Sequence, residues 1–181
     1  APASRHIVFS CRKKVGKQYA FSTNTSIYIY DILTGATVDV KTDGGYDTDP
    51  VWSPDGRHLA WISMPRDGYE ADRQRLFVAD TKLSAGDADG QDVGVAVSNV
   101  HELLPDFDHD VAGLVWHGEE LFFNALVGEG IQALFCADLE GDVQRITDPD
   151  WNFDFFSPFA ILDKEDGGVQ LLASYYCLNF P

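Results

Sequence analysis

The sequence is short of positive charge. Its 181 residues carry 13 Lys plus Arg against 29 Asp plus Glu, a formal net charge of −16. An excess of that size argues against nucleic acid or an anionic membrane as partner, since both reward Lys and Arg. Long apolar runs are missing as well, and none approaches the roughly 20 residues of a membrane-spanning helix. Cysteine is sparse: Cys11, Cys136 and Cys177 are odd in number and none sits in a CxxC pair. A zinc site built on cysteine is therefore not expected, and buried apolar thiols are the default reading. No metal and no cofactor are expected. The N-terminal Ala1-Pro2-Ala3-Ser4-Arg5 is neither a Met start nor an apolar signal segment. It points to a removed leader or to a chain cut from something longer. A periplasmic or secreted location is read slightly ahead of a cytoplasmic one. What is present is core material, 45% hydrophobic and 13% aromatic residues, enough for a folded chain of this length.

Helical periodicity is also lacking, and short β-like runs recur instead. Ser26-Ile27-Tyr28-Ile29-Tyr30-Asp31, Arg75-Leu76-Phe77-Val78-Ala79-Asp80 and Ala133-Leu134-Phe135-Cys136-Ala137-Asp138 are each a hydrophobic strand closed by Asp. A second marker, an aromatic followed by Asp, interleaves with them at Tyr46-Asp47, Phe107-Asp108 and Phe153-Asp154. Both recur at about 50 residues, the period of a four-stranded propeller blade. Pro54-Asp55-Gly56, between Val51-Trp52-Ser53 and Leu59-Ala60-Trp61-Ile62, is a hairpin signal with a mechanism. Pro fixes φ, Asp bonds its own backbone, and Gly accepts positive φ.

The expected fold is all-β, built of antiparallel four-stranded β-propeller blades in an incomplete arc. Residues 1–181 form one partial propeller: a partial blade at 6–41, blades at 46–104 and 107–147, and a partial blade at 153–181. Closed propellers need about four blades or more, so the chain reads as part of a longer propeller. Association between arcs, or another oligomer, is left open.

Trp52-Ser53-Pro54-Asp55-Gly56-Arg57-His58-Leu59-Ala60-Trp61 resembles the TolB-type, WD-like propeller repeat. The wider stretch from Ser10 to Gly35, with Gly45 to Asp80, resembles the propeller of bacterial prolyl oligopeptidase-family serine peptidases. The dipeptidyl-peptidase and acylaminoacyl-peptidase-like members match best. The resemblance implies a propeller capping a separate α/β-hydrolase domain, which would be a partner together with a peptide substrate. It implies a non-catalytic role here, gating and orienting peptides for that domain. No serine has G-x-S-x-G flanks, Ser53 and Ser174 included, so the chain alone is expected to be inert. The alternative is a TolB-like module that binds a protein and has no enzymatic activity.

The resemblance also directs attention to the loop Arg66 to Arg73, because propeller acids in this family can hold a substrate amine. Glu70 is the candidate for that amine and Arg66 for a substrate carbonyl or carboxylate. The plainer alternative is a solvated turn with a local Arg66–Glu70 pair. The acidic segment Asp87 to Asp92 fails the calcium-loop register, with Gln91 at the fifth position and Ser98 at the twelfth. It reads as a loop between strands. Asp108-His109-Asp110 reads as a turn cap at the start of an inner strand. Trp52, Trp61 and Trp116 read as packing between blades. Trp151 stands outside the repeat register and is the aromatic most open to a binding role.

Overall fold

A computed structural model describes residues 5–40, 42, 45–83, 94–128, 130–150 and 155–176. The expected elements at Asp87 to Asp92, Trp151, Phe153-Asp154 and Cys177 lie outside the described residues. The regular elements among the described residues are strands, apart from one short helix, α1 (Gln18–Phe21). Two compact units divide the chain, Ala1–Glu102 and Leu103–Pro181.

In the first unit, β1 (His6–Cys11), β2 (Ser26–Asp31) and β3 (Thr37–Val40) form one antiparallel sheet in that order. β4 (Tyr46–Trp52), β5 (His58–Met64), β6 (Arg75–Leu83) and β7 (Val95–Glu102) form a second, four-stranded antiparallel sheet. Alternating positions of the two sheets face each other. Ile27, Ile29, Val40, Leu59, Trp61, Ala79 and Val95 make one buried cluster, with Val8, Trp52, Phe77 and Val97 at its margin. In the second unit, β8 (Val111–His117), β9 (Glu120–Val127), β10 (Ile131–Ala137) and β11 (Val143–Arg145) form a four-stranded antiparallel sheet. β12 (Phe155–Asp163) pairs with β13 (Val169–Tyr176). Phe122, Leu134 and Cys136 are buried with Val115, Ile161, Leu171 and Ala173 against them. Burial, with Glu120 and Asp138 adding to it, pushes the Cys136 thiol up to about 12, so it stays protonated at neutral pH.

The two four-stranded sheets repeat one another position by position. Trp52 pairs with Leu59 as Trp116 pairs with Leu121. Trp61 stacks on Phe77 at 5.9 Å, and Phe123 stacks on Phe135 at 5.8 Å. Both inner strands break register after two or three pairs, between Thr48 and Val51 and between Ala112 and Val115. The break holds Asp49 at φ 51 and Gly113 at φ 62, the positive-φ residue of a bulge.

The Trp-Ser-Pro-Asp-Gly turn closes through its own side chains. The Ser53 hydroxyl donates to Asp55 Oδ1 at 2.7 Å and accepts from the His58 amide at 2.9 Å. Asp55 Oδ1 accepts from the Arg57 amide at 2.9 Å, and Gly56 sits at φ 72. Those two bonds, the amide's first, bring the Asp55 carboxyl down to about 2. Thr81 of β6 then donates from its hydroxyl to the Gly56 carbonyl at 2.7 Å, fixing the turn to the sheet.

Two repeat markers differ in detail from expectation. Asp31 and Asp138 do close turns: Asp31 Oδ1 accepts from Leu33 and Asp138 Oδ1 from Asp142, both at 2.9 Å. Asp80 does not, because β6 runs on to Leu83 and Asp80 meets His58 across the sheet at 3.2 Å. In the second marker, Asp47 pairs across to Ser63 and is 1% exposed. Its counterpart by register is Val111, opposite Ala125 and equally buried, so Asp108 stands ahead of the strand and exposed.

Candidate functional site

The loop between β5 and β6 leaves the sheet at Pro65 and returns at Arg75. Arg66 and Glu70 both lie on it, exposed. They are not paired with each other. Arg66 instead grips Asp72, with Nε 2.8 Å from Oδ2 and the terminal Nη2 on Oδ1, and its guanidinium lies 4.2 Å from the Tyr69 ring. The Arg66 hydrogen bond comes first in lowering the Asp72 carboxyl, and Asp72 in turn raises Arg66. Glu70 makes no ion pair among the described residues, so its carboxylate is presented to solvent. The geometry favours Asp72 because an i, i+6 reach folds the loop back over Tyr69.

Asp67 was no candidate, yet it holds the loop in place. Its Oδ2 accepts from the Ser22 hydroxyl at 2.6 Å, and Oδ1 accepts from the Thr23 and Asn24 amides at 2.7 and 3.1 Å. The Gly68 amide donates to the Thr23 hydroxyl at 2.9 Å. These bonds, the Ser22 hydroxyl's first, lower the Asp67 carboxyl. The signal in the sequence is Ser22-Thr23-Asn24, three residues that present small donors in turns. Asp67→Ala is expected to speed amide exchange at Thr23 and Asn24 by about tenfold or more, since both lose a charged acceptor. Exchange at the wild-type rate, measured by NMR, would sink that assignment.

Behind the loop, Arg73 and Arg75 bracket Glu102 of β7, at 3.1 and 2.8 Å from its two oxygens. A small cavity opens there between Thr42, Asp47, Trp61, Ser63, Arg75 and Phe77. Its volume of about 20 Å³ suits one water, which needs roughly 10–15 Å³, and excludes a peptide side chain. This end therefore offers an exposed loop surface. Of the other candidates, Ser53 is used up in its turn, and His109 packs edge-on against Phe107 at 5.2 Å. Trp61 is fully buried, in keeping with packing.

No protein-family model matches the chain. Over 148 residues it is 38% identical to dipeptidyl-peptidase 5 of Porphyromonas gingivalis, covering 81% of this chain and 18% of that protein. The chain is a β-propeller segment related to part of the dipeptidyl-peptidase 5 proteins. A second such protein, from Porphyromonas endodontalis, is 51% identical over 79 residues, 42% of this chain and 11% of its own length. The chain thus spans less than a fifth of either relative. A solved structure described as a TolB from Agrobacterium tumefaciens superposes with a TM-score of 0.58 at 15% identity, covering 98% of this chain and 57% of that one. At that identity the likeness speaks for the fold alone.

Proposed function

We propose that this segment gates and orients peptide substrates for a serine peptidase domain of the same parent protein. The observation that carries the reading is the 38% identity to a dipeptidyl-peptidase over most of this chain. In this reading the loop 65–74 faces the peptide. Glu70, exposed and without an ion-pair partner among the described residues, takes the peptide's amine, and Arg66 offers its remaining N–H groups to a carbonyl or carboxylate. Asp67 keeps both in place through Ser22 to Asn24.

The test uses the full-length parent protein. Hydrolysis of dipeptide chromogenic substrates, abolished by a serine-reactive phosphonate, is the expected result. Glu70→Gln should raise KM by about tenfold with kcat nearly unchanged, the mark of lost binding that is equal in ground and transition states. A parent protein with no G-x-S-x-G elbow and no hydrolysis would overturn the peptidase reading. Hydrolysis with wild-type KM in the Glu70 variant would overturn the site alone.

A further inference from the structure

We propose that the loop between β1 and β2, residues 12–21, docks a short acidic peptide segment bearing apolar side chains. Four of the 13 cationic residues of this strongly acidic chain lie there: Arg12, Lys13, Lys14 and Lys17. Elsewhere the arginines of the first unit are neutralised. Arg5 meets Asp31, Arg57 meets Asp55, Arg66 meets Asp72, and Arg73 and Arg75 share Glu102. In the loop, no cation forms an ion pair among the described residues, although carboxylates outnumber cations two to one in the chain.

Aromatic faces hold two of them, Arg12 and Lys13. The Arg12 guanidinium lies 5.0 Å from the centre of the Tyr19 ring and donates to the Tyr19 carbonyl at 3.3 Å. Lys13 Nζ stands 3.5 Å from the centre of the buried Tyr28 ring. A cation resting on a ring keeps its full charge, so it remains available to an anion. Lys14 acts on Asp67 through space, but the Asp67 oxygens are occupied by Ser22, Thr23 and Asn24. Interleaved with the charges are exposed apolar side chains: Val15 at 80%, Tyr19 at 57% and Phe21 at 84%. Exposed Phe and Val beside unpaired Lys have no stabilising role in a lone fold and suit a partner that brings both carboxylates and apolar groups.

Charge decides the class of partner. Fields are screened over about 8 Å at physiological salt, so a short peptide confined to the loop meets chiefly its four cations, opposed by Asp67 within reach of Lys14. A nucleic acid, a bilayer or a second copy of this chain extends further and meets the remaining acidic surface. Docking here is independent of peptidase activity, and the test reads binding alone.

The probe is a fluorescein-labelled Glu-rich peptide bearing phenylalanines, titrated with the full chain and followed by anisotropy. Binding should weaken as salt rises. On a chain of net charge −16, repulsion by the whole molecule would give the opposite trend, so the sign of the salt effect is diagnostic. Combining Lys13→Glu, Lys14→Glu and Lys17→Glu should weaken binding by about tenfold or more, with the melting temperature lowered by only a few degrees as Lys13 leaves the Tyr28 ring and Lys14 leaves Asp67. Exchanging Glu for Gln in the peptide should do the same with the protein untouched. Phe21→Ser should weaken it a few-fold. Equal binding of the Gln peptide, equal binding by the triple variant, or affinity that rises with salt would overturn the proposal. So would tighter binding of a DNA oligomer or anionic vesicles, or a dimer of the free chain that the triple variant abolishes.

Discussion

Trp61→Ala is expected to lower the unfolding free energy of the first unit by about 3–5 kcal/mol, the range for deleting a large buried aromatic. The Trp61 side chain is completely buried and stacks on Phe77, and it packs in the cluster that joins the two sheets through Ile27, Ile29 and Leu59. The void cannot be closed by shifting one strand, because Ala60 and Ile62 on either side are paired into β6. Trp61→Phe should cost less, since Phe123 fills the same position in the second unit and stacks on Phe135 in the same way. Urea unfolding followed by circular dichroism measures both. A loss below about 1 kcal/mol for Trp61→Ala would mean that the two sheets do not share this core.

Acid should unfold the chain over a window set by a few carboxylates. Arg5 donates two hydrogen bonds to Asp31, at 3.0 and 2.7 Å, and this pairing, ahead of the Leu33 and Thr34 amides, holds the Asp31 carboxyl well below the usual range. Asp55 is held at about 2, and Asp67 and Asp72 are lowered as well. A depressed carboxyl contributes stability that is fully present above its unfolded pKa of about 3.9 and is lost as pH falls through the folded value. Melting temperature should therefore hold from neutral pH to about 5 and fall steadily toward 2. Asp31→Asn should lower it at pH 7 and flatten the fall, because one of the groups that drives it is gone. A variant with the wild-type slope would remove Asp31 from that role.

Most of the strand plan was legible in the residues. Alternating apolar runs, the Trp-Ser-Pro-Asp-Gly turn and the recurrence of about 50 residues depend on local chemistry, which a sequence displays directly. Pairing register is a different matter. The aromatic-Asp marker placed Asp108 with Asp47, yet cross-strand pairing puts Val111 there, because the turn ahead of β8 adds residues that no local pattern counts. Asp80 resembled a strand end but lies inside β6, where His58 receives it. On the candidate loop, Arg66 and Glu70 are neighbours at an i, i+4 spacing that would suit a helix. The segment is a turn, and there the sixth residue on, Asp72, is the one within reach. The Asp67 contacts join residues more than 40 positions apart, a separation that only the folded chain reveals.

The self-closed Trp-Ser-Pro-Asp-Gly turn bears on the order in which the chain folds. The bonds that close it run from Ser53 to His58 and form without waiting for distant segments, whereas the Thr81 bond to the Gly56 carbonyl can follow only when β6 arrives. A hairpin of this kind closes in about 1–10 μs, far ahead of contacts with high sequence separation. The β4–β5 hairpin is therefore a natural starting point for the first unit. Trp61 emerges from it already aimed at the face that β2 will later cover, so sheet docking follows turn closure and sets the slower clock.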